Sequence, residues 1–275
     1  MSTATGCPTP RHGFASPAWR GRAVLAALGI VAASLGTAPV AAQPPPGAGA
    51  PSFRAMGNEP GWTLDLGGGR LVLVADYGAT KVDVPLPVPV PLEAARRYVT
   101  KTSDGRALEV TLIDVVCADT MTGMPRPVTV EVAFDGRTLK GCGGDATALL
   151  RGKTWVVEDI SGRGVIDRAR VTMVFGQSGR LSGAGPCNPF RASYVLTGEG
   201  LAITMPISGV RSCAAAQMAQ ETVFLEVMRG VQRFEMRRDG ALVLHAADGG
   251  TITARAEDPV QAALDQEAKK KAKKK

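Results

Sequence analysis

The chain has 275 residues, 45% hydrophobic and 5% aromatic, with a formal net charge of +7. That length exceeds one ordinary domain, and the apolar content excludes a disordered or low-complexity polypeptide. The charge sits at the two ends, three Arg without an acid in residues 1–42 and six Lys in residues 257–275, so the body is almost neutral and lacks the basic, aromatic-interleaved surface that nucleic acid requires.

In chain order, the first feature is the apolar run AVLAALGIVAASLG (23–36), preceded by Arg11, Arg20 and Arg22 and followed by APVAAQ. A basic flank, a short apolar core and small residues at its end describe a secretory signal peptide over 1–42, with cleavage after Ala42. The run falls short of the roughly 20 residues that span a bilayer; a signal anchor is the plainer alternative. Cys7 precedes the run, so lipid attachment to a cysteine following it is not indicated. The mature protein is expected to be soluble, exported and periplasmic. A Pro/Gly-rich linker, 43–52, follows.

A first β-rich domain is expected over 53–149. WTLDL, RLVLVAD, RALEVTLID and RPVTVEVAF alternate apolar with polar residues, the period of half-buried strands, and GGG (67–69), SDG (103–105) and DG (135–136) punctuate them as turns. VPLPVPVPLEA (84–94) places proline at alternate positions, which removes ladder donors and predicts an edge or an extended crossover.

A second domain is expected over 150–256. TWVVEDI, RVTMVF, RLSG and FRASYVLT read as four strands. AAQMAQETVFLEVMRG (215–230) carries Met218, Leu225 and Met228 along one line and Phe224, Val227 and Val231 along the next, a helical stripe that Gly230 would stop. VQRFEMRR, ALVLHA and TITARA then give three more strands. The fold class is therefore mainly β (α+β): two small antiparallel β domains, the second a sheet or barrel with one helix. The tail, 257–275, holds Lys269, Lys270, Lys271, Lys273, Lys274 and Lys275. It can lie against an anionic membrane surface at about 1 kcal/mol per lysine, while a solvated tail is the plainer reading.

Beyond Cys7 the chain has four cysteines, Cys117, Cys142, Cys187 and Cys213. In an exported protein an even set of thiols reads as a disulfide framework. Four thiols allow three pairings; spacing favours Cys117 with Cys142 and Cys187 with Cys213, each within one domain. A crosslink closing a loop of that size stabilises by roughly 3–4 kcal/mol in the chain-entropy model. His245, in ALVLHA, is the only histidine after the signal peptide. A zinc site therefore lacks ligands and a nucleophile lacks its base, and Glu158 and Asp159 would point to opposite faces of a strand. GGGRLVLV and GRGVIDR do not lie between a strand and a helix, so they read as turns, not phosphate loops. No catalytic residue, metal site or cofactor is expected.

FGQSGRLSGAGPCNPFRASY, the segment SCAAAQMAQETVFLEVMRGVQRFEM and the closing GALVLHAADGGTITA resemble the META/HslJ family. The residues that carry the likeness are Phe175, Gly179, Arg180, Ser182, Gly183, Cys187, Asn188, Phe190, Tyr194, Cys213, Glu221, Phe224, Leu225, Val231, Phe234, Leu242, Leu244 and Gly249. Pro186 and Pro189 depart from its pattern and should stiffen the loop. The first half, with GNEPGWTLDL, Tyr98, CADTMTGMPRPVTVEV and LKGCGG, resembles an uncharacterised exported domain of bacterial envelope lipoproteins. The resemblance implies a non-enzymatic envelope protein associated with heat shock and, in the best-known case, novobiocin resistance. The partner would be an unnamed envelope protein or ligand. Two other functions stand beside it: a lysozyme-inhibitor-like module, which would present the GAGPCNPF loop to an enzyme, and an uncharacterised hydrolase using carboxylates.

Four residues are candidates for binding. Asn58, Glu59 and Trp62 set a polar pair and a large amphipathic ring around a Pro-Gly turn; a turn pinned by a core tryptophan explains them equally well. Asn188 could bind a ligand, though scaffolding of its own loop is favoured.

Overall fold

The computed structural model describes residues 52–167, 169–258 and 263. The expected signal peptide, most of the linker and the six tail lysines lie outside the described residues. Among the described residues no helix is long and apolar enough to cross a membrane.

The first half consists of Phe53–Asn58 (β1), Gly61–Gly67 (β2), Arg70–Ala75 (β3), Thr80–Pro85 (β4), Val90–Leu92 (β5), Ala95–Lys101 (β6), Ala107–Ile113 (β7), the short pair Cys117–Ala118 (β8) and Pro125–Arg126 (β9), Val128–Phe134 (β10) and Arg137–Gly143 (β11). All but β8 and β9 form one antiparallel sheet in the order β4-β3-β2-β1-β11-β10-β7-β6-β5. Alternation decides its inner face: Trp62, Leu64 and Leu66 on β2, Leu71 and Leu73 on β3, Leu108, Val110 and Leu112 on β7, and Val128, Val130, Val132 and Phe134 on β10 are buried together. The register sets Leu64 opposite Leu73 and Val130 opposite Leu112.

The proline-rich segment closes this sheet. Its edges, β4 and β5, are joined by residues 86–89 alone, a link that reaches at most about 18 Å from Pro85 to Val90. Nine flat strands would hold those edges about 38 Å apart. The sheet is therefore rolled around its core, with β5 as an edge strand. Pro85, Pro87, Pro89 and Pro91 deprive the seam of donors that could recruit another strand. The DG turn joins β10 to β11 with both Asp135 and Gly136 in the left-handed region, φ 53° and 72°, the conformation of a two-residue hairpin.

One helical turn, Thr147–Leu150 (α1), leads to the second half: Trp155–Ile160 (β12), Thr172–Phe175 (β13), Arg180–Ala184 (β14), Pro189–Leu196 (β15), Leu201–Ser208 (β16), the helix Ala215–Gly230 (α2), Val231–Met236 (β17), Leu242–Ala246 (β18) and Thr251–Ala256 (β19). These eight strands form one sheet in the order β16-β15-β14-β13-β12-β19-β18-β17. Its edge strands β16 and β17 come together, and α2 packs on β16, β18 and β19, giving a near-closed barrel with one helix. Phe224, Val227 and Met228 join Trp155, Phe175, Phe190 and Tyr194 in its core. Phe190 meets Phe224 edge-on with centroids 5.3 Å apart, and Phe175 meets Tyr194 at 5.2 Å, a favoured aromatic geometry. Both sheets belong to one compact unit, and Met124, beside β9, is buried in the second core.

In the first half β1, β4, β6, β8 and β11 are not among the strands expected from the sequence, and in the second half three further details differ. There are five strands before the helix, not four: β16 hides its period because Met205 takes a left-handed φ of 50° and shifts the alternation, so that Leu201, Ile203 and then Pro206 are buried. Met218 is 43% exposed, and the inward position in the first turns of α2 is taken by Glu221, buried for its hydrogen bonds to Cys187 and Asn188. Gly230 is the last helical residue, not a left-handed cap; a Cβ there would crowd the Cβ of Ala246 at 3.0 Å.

Candidate functional site

Three strand connections meet at one end of the first sheet. The turn between β1 and β2 presents Asn58 and Glu59; the turn between β3 and β4 presents Tyr77; and the stretch between β8 and β9 presents Thr120 and Met121. With Lys140 of β11 they line a cavity of about 590 Å³. Two smaller depressions adjoin it through Asn58, one of about 400 Å³ toward Gly61 and Trp62, the other of about 150 Å³ toward the Cys117–Cys142 pair.

The Tyr77 turn is costly to form. Asp76, Tyr77 and Gly78 have φ values of 53°, 54° and 98°, and the first two lie where a side chain is disfavoured. Asp76 holds it: its carboxylate accepts two hydrogen bonds from Arg137, at 3.0 and 2.9 Å, and one from Thr80 Oγ1 at 2.9 Å. The Arg137 guanidinium, followed by the Thr80 hydroxyl, holds the Asp76 carboxyl below the usual aspartate range. The result is a tyrosine ring 83% exposed, lying beside Gly61, where a Cβ would come 2.9 Å from Cε1.

The opposite wall is built by Asp119. Its Oδ1 accepts from Met121 N at 3.0 Å, Thr122 N at 2.8 Å and Thr122 Oγ1 at 2.9 Å, while Oδ2 accepts from Asn58 Nδ2 at 3.2 Å. Burial pushes the Asp119 carboxyl up, but the Thr122, Asn58 and Met121 donors together hold it below its ordinary value. Asn58 Nδ2 also donates to Thr120 Oγ1 at 2.9 Å. Asn58 thus ties the two turns together, and Met121 is left 78% exposed at the rim.

Trp62 lines the adjoining depression of about 400 Å³. It is only 4% exposed, and its Nε1 donates to the Lys140 carbonyl at 3.3 Å. Gly57 and Gly141 leave room for the indole to lie across β1 and β11: a Cβ on Gly57 would collide with Nε1 and with the Lys140 carbonyl, and one on Gly141 with the Met56 carbonyl. Of the three candidates around the Pro-Gly turn, Asn58 and Glu59 therefore line the cavity, whereas Trp62 supports it from the core side. Tyr77, Thr120 and Met121 were not singled out in the sequence; the one local signal was an aromatic residue set directly before a glycine between two strands, in DYG.

The fourth candidate lies in the second half. Asn188 is buried, with its polar groups turned to the protein itself. Its backbone N–H donates to Glu221 Oε2 at 2.5 Å; its Nδ2 donates to Glu221 Oε1 and to the Arg211 carbonyl, each at 3.1 Å; and its Oδ1 accepts from Arg211 N at 2.9 Å. Cys187 N donates to the same Glu221 Oε2 at 3.0 Å. Glu221 on α2 is thus the acceptor that pulls the GAGPCNPF loop onto the helix, and Asn188 is scaffold. In this loop, which the inhibitor reading would present to an enzyme, Pro186 and Asn188 are buried while Pro189 is exposed.

The cysteines pair as spacing favoured: Cys117 with Cys142, Cα atoms 5.4 Å apart, and Cys187 with Cys213, 5.9 Å apart. Cys187–Cys213 anchors the loop just before α2. His245 lies on β18, its Nε2 3.2 Å from Glu235 Oε2. Glu158 pairs with Arg255, and Asp159 accepts from the backbone of Gly162 and Gly164. Among the described residues no three His, Cys, Asp or Glu side chains come together as a metal set would.

No curated protein matches the chain. A solved structure described as the NMR structure of the protein from Burkholderia xenovorans is 22% identical, with a TM-score of 0.35, over 41% of this chain and 86% of that one. The model of the META domain family matches residues 148–259, which hold the second sheet, its helix and the Cys187–Cys213 pair. The C-terminal part of this chain is a META domain.

Proposed function

We propose that the protein is an exported, non-catalytic binding protein of the cell envelope, an HslJ-like component of the response to heat and antibiotic stress, and that the cavity at the end of the first sheet is where it binds. The observation that carries this reading is the exposed pair Tyr77 and Met121, which line one cavity together with Asn58, Glu59, Thr120 and Lys140. A strained turn locked by two hydrogen bonds from Arg137 holds Tyr77 in water, where the ring contributes nothing to the core. The two cysteine pairs, at disulfide distance, accord with an oxidising compartment.

Two measurements on the native host test it. The chain recovered from osmotic-shock fluid should have both disulfides formed by peptide mass spectrometry, and expression of the full chain should restore growth under heat or novobiocin to a strain lacking it. A Tyr77→Ala chain, folded by circular dichroism, should fail to restore that growth. Reduced protein retained in the cytoplasm, or full rescue by Tyr77→Ala, overturns the reading.

A further inference from the structure

Resting on that binding role, the geometry points to a neutral saccharide chain as the ligand of the Tyr77 cavity. Charge is the first discriminator. Lys140 is paired with Glu131 at 3.3 Å, and Asp119 is engaged by its own turn and by Asn58. Glu59, fully at the rim, adds a negative group. A phosphorylated or polyanionic ligand would meet these carboxylates with one cation already committed, so the site disfavours it.

Shape is the second. The Tyr77 ring has Gly61 on one side and the residue is 83% exposed, so it offers a flat apolar platform on a turn that the Asp76–Arg137 contact holds. Met121 adds a flexible, polarisable apolar group to the same lining. With them stand the Asn58 amide oxygen, the Thr120 hydroxyl, the Glu59 carboxylate and the Lys140 ammonium, the Asn58 NH₂ being engaged by Asp119 and Thr120. Mixed donors and acceptors of this kind suit hydroxyl groups, which both donate and accept. A ligand that has one apolar face, many hydroxyls and no net charge is a sugar ring. The adjoining depressions of about 400 and 150 Å³ continue the cavity along Asn58, which favours a chain of rings over a single one.

The experiment is an amide-resonance titration of the full mature chain with a β-1,4-linked N-acetylglucosamine tetramer, and in parallel with a tetra-alanine peptide and inorganic phosphate. The saccharide should shift resonances of Asn58, Glu59, Tyr77, Thr120 and Met121, leaving META-domain residues away from the Met124 contact unmoved. Tyr77→Ala should weaken its binding about tenfold, the upper range for one aromatic contact. Met121→Ala, which leaves the strained turn intact, separates loss of contact from loss of fold and should weaken binding by a smaller factor. No shift at millimolar tetramer, or equal affinity in Tyr77→Ala, refutes the saccharide assignment. Shifts at the same residues with the peptide or phosphate and not with the saccharide also refute it, yet leave the binding role standing. Full rescue of stress growth by Tyr77→Ala would fail the binding role itself.

Discussion

Glu221 is the residue on which the Cys187 loop depends most. It is 7% exposed on α2 and accepts three hydrogen bonds, from Cys187 N, Asn188 N and Asn188 Nδ2. Glu221→Ala removes both acceptor oxygens and with them all three hydrogen bonds. Asn188 is itself buried, so its donors lose partners without gaining water, at about 1–3 kcal/mol each; release of a buried carboxylate from its desolvation offsets part of this. A net loss of about 3 kcal/mol is expected. Glu221→Gln keeps the shape and one acceptor oxygen but turns an NH₂ group toward backbone N–H donors, and should cost about 2 kcal/mol. The assay is urea unfolding followed by Trp fluorescence, in a double-mutant cycle with Cys187→Ser/Cys213→Ser, which by itself should lose roughly 3 kcal/mol. Because carboxylate and disulfide hold the same loop, their losses should be less than additive by at least about 1 kcal/mol. Strict additivity, or a Glu221→Gln protein as stable as the parent, would show that the carboxylate does not organise the loop.

Two further changes probe the first sheet. Asp76 has its folded-state pKa depressed by Arg137 and Thr80, so its contribution is present above the unfolded aspartate value of about 3.9 and is lost as pH falls through the lower folded value. The stability gap between the parent and Asp76→Asn, measured by thermal melting, should therefore be constant from pH 7 to 5 and narrow progressively as pH falls below about 4; a gap that does not narrow at all below about pH 4 contradicts the assignment. Gly57→Ala should destabilise by about 1–3 kcal/mol through collision with the indole and the Lys140 carbonyl, and Trp62→Phe in the Gly57→Ala background should recover part of the loss; an unchanged urea midpoint for Gly57→Ala would place Trp62 elsewhere.

Much of the architecture was legible because it rests on period. The alternation in RALEVTLID and RPVTVEVAF is the burial pattern of β7 and β10, and the stripe of AAQMAQETVFLEVMRG is the inner face of α2 wherever apolar residues continue it. Period failed where one backbone torsion broke it, at Met205 in β16, and where a polar residue was buried for its hydrogen bonds, at Glu221. β1, β4, β6, β8 and β11 were also not resolved from sequence: in FRAMGN and RTLKGCG glycine replaces the apolar residue that alternation looks for, because the indole of Trp62 occupies that space. The cavity was half legible for the same kind of reason. Asn58 and Glu59 stand beside a turn signal that can be read locally, whereas Tyr77 and Lys140 are brought to them only by the strand order β3-β2-β1-β11, and Thr120 by the β8–β9 stretch held through Cys117–Cys142 and the Asn58 hydrogen bonds.

The stretch 117–126 links the two halves of the molecule in a way that neither half shows alone. Its first residue is crosslinked to β11 through Cys142, its Asp119 turn forms a wall of the cavity, and Met124 is buried with Leu149, Leu150 and Trp155 in the core of the second sheet. A displacement of Met124 would have to pass through the Asp119 turn, whose backbone bond from Asp119 N to the Met124 carbonyl is 2.9 Å. The position of Thr120 and Met121 over Lys140 therefore depends on packing in the META domain as well as on the first sheet. Since interiors pack near crystal density and do not yield gradually, reduction of Cys117–Cys142 frees only one end of this stretch. The other end stays seated in the second core, and the cavity wall loses its anchor to β11 while keeping its anchor to the META domain.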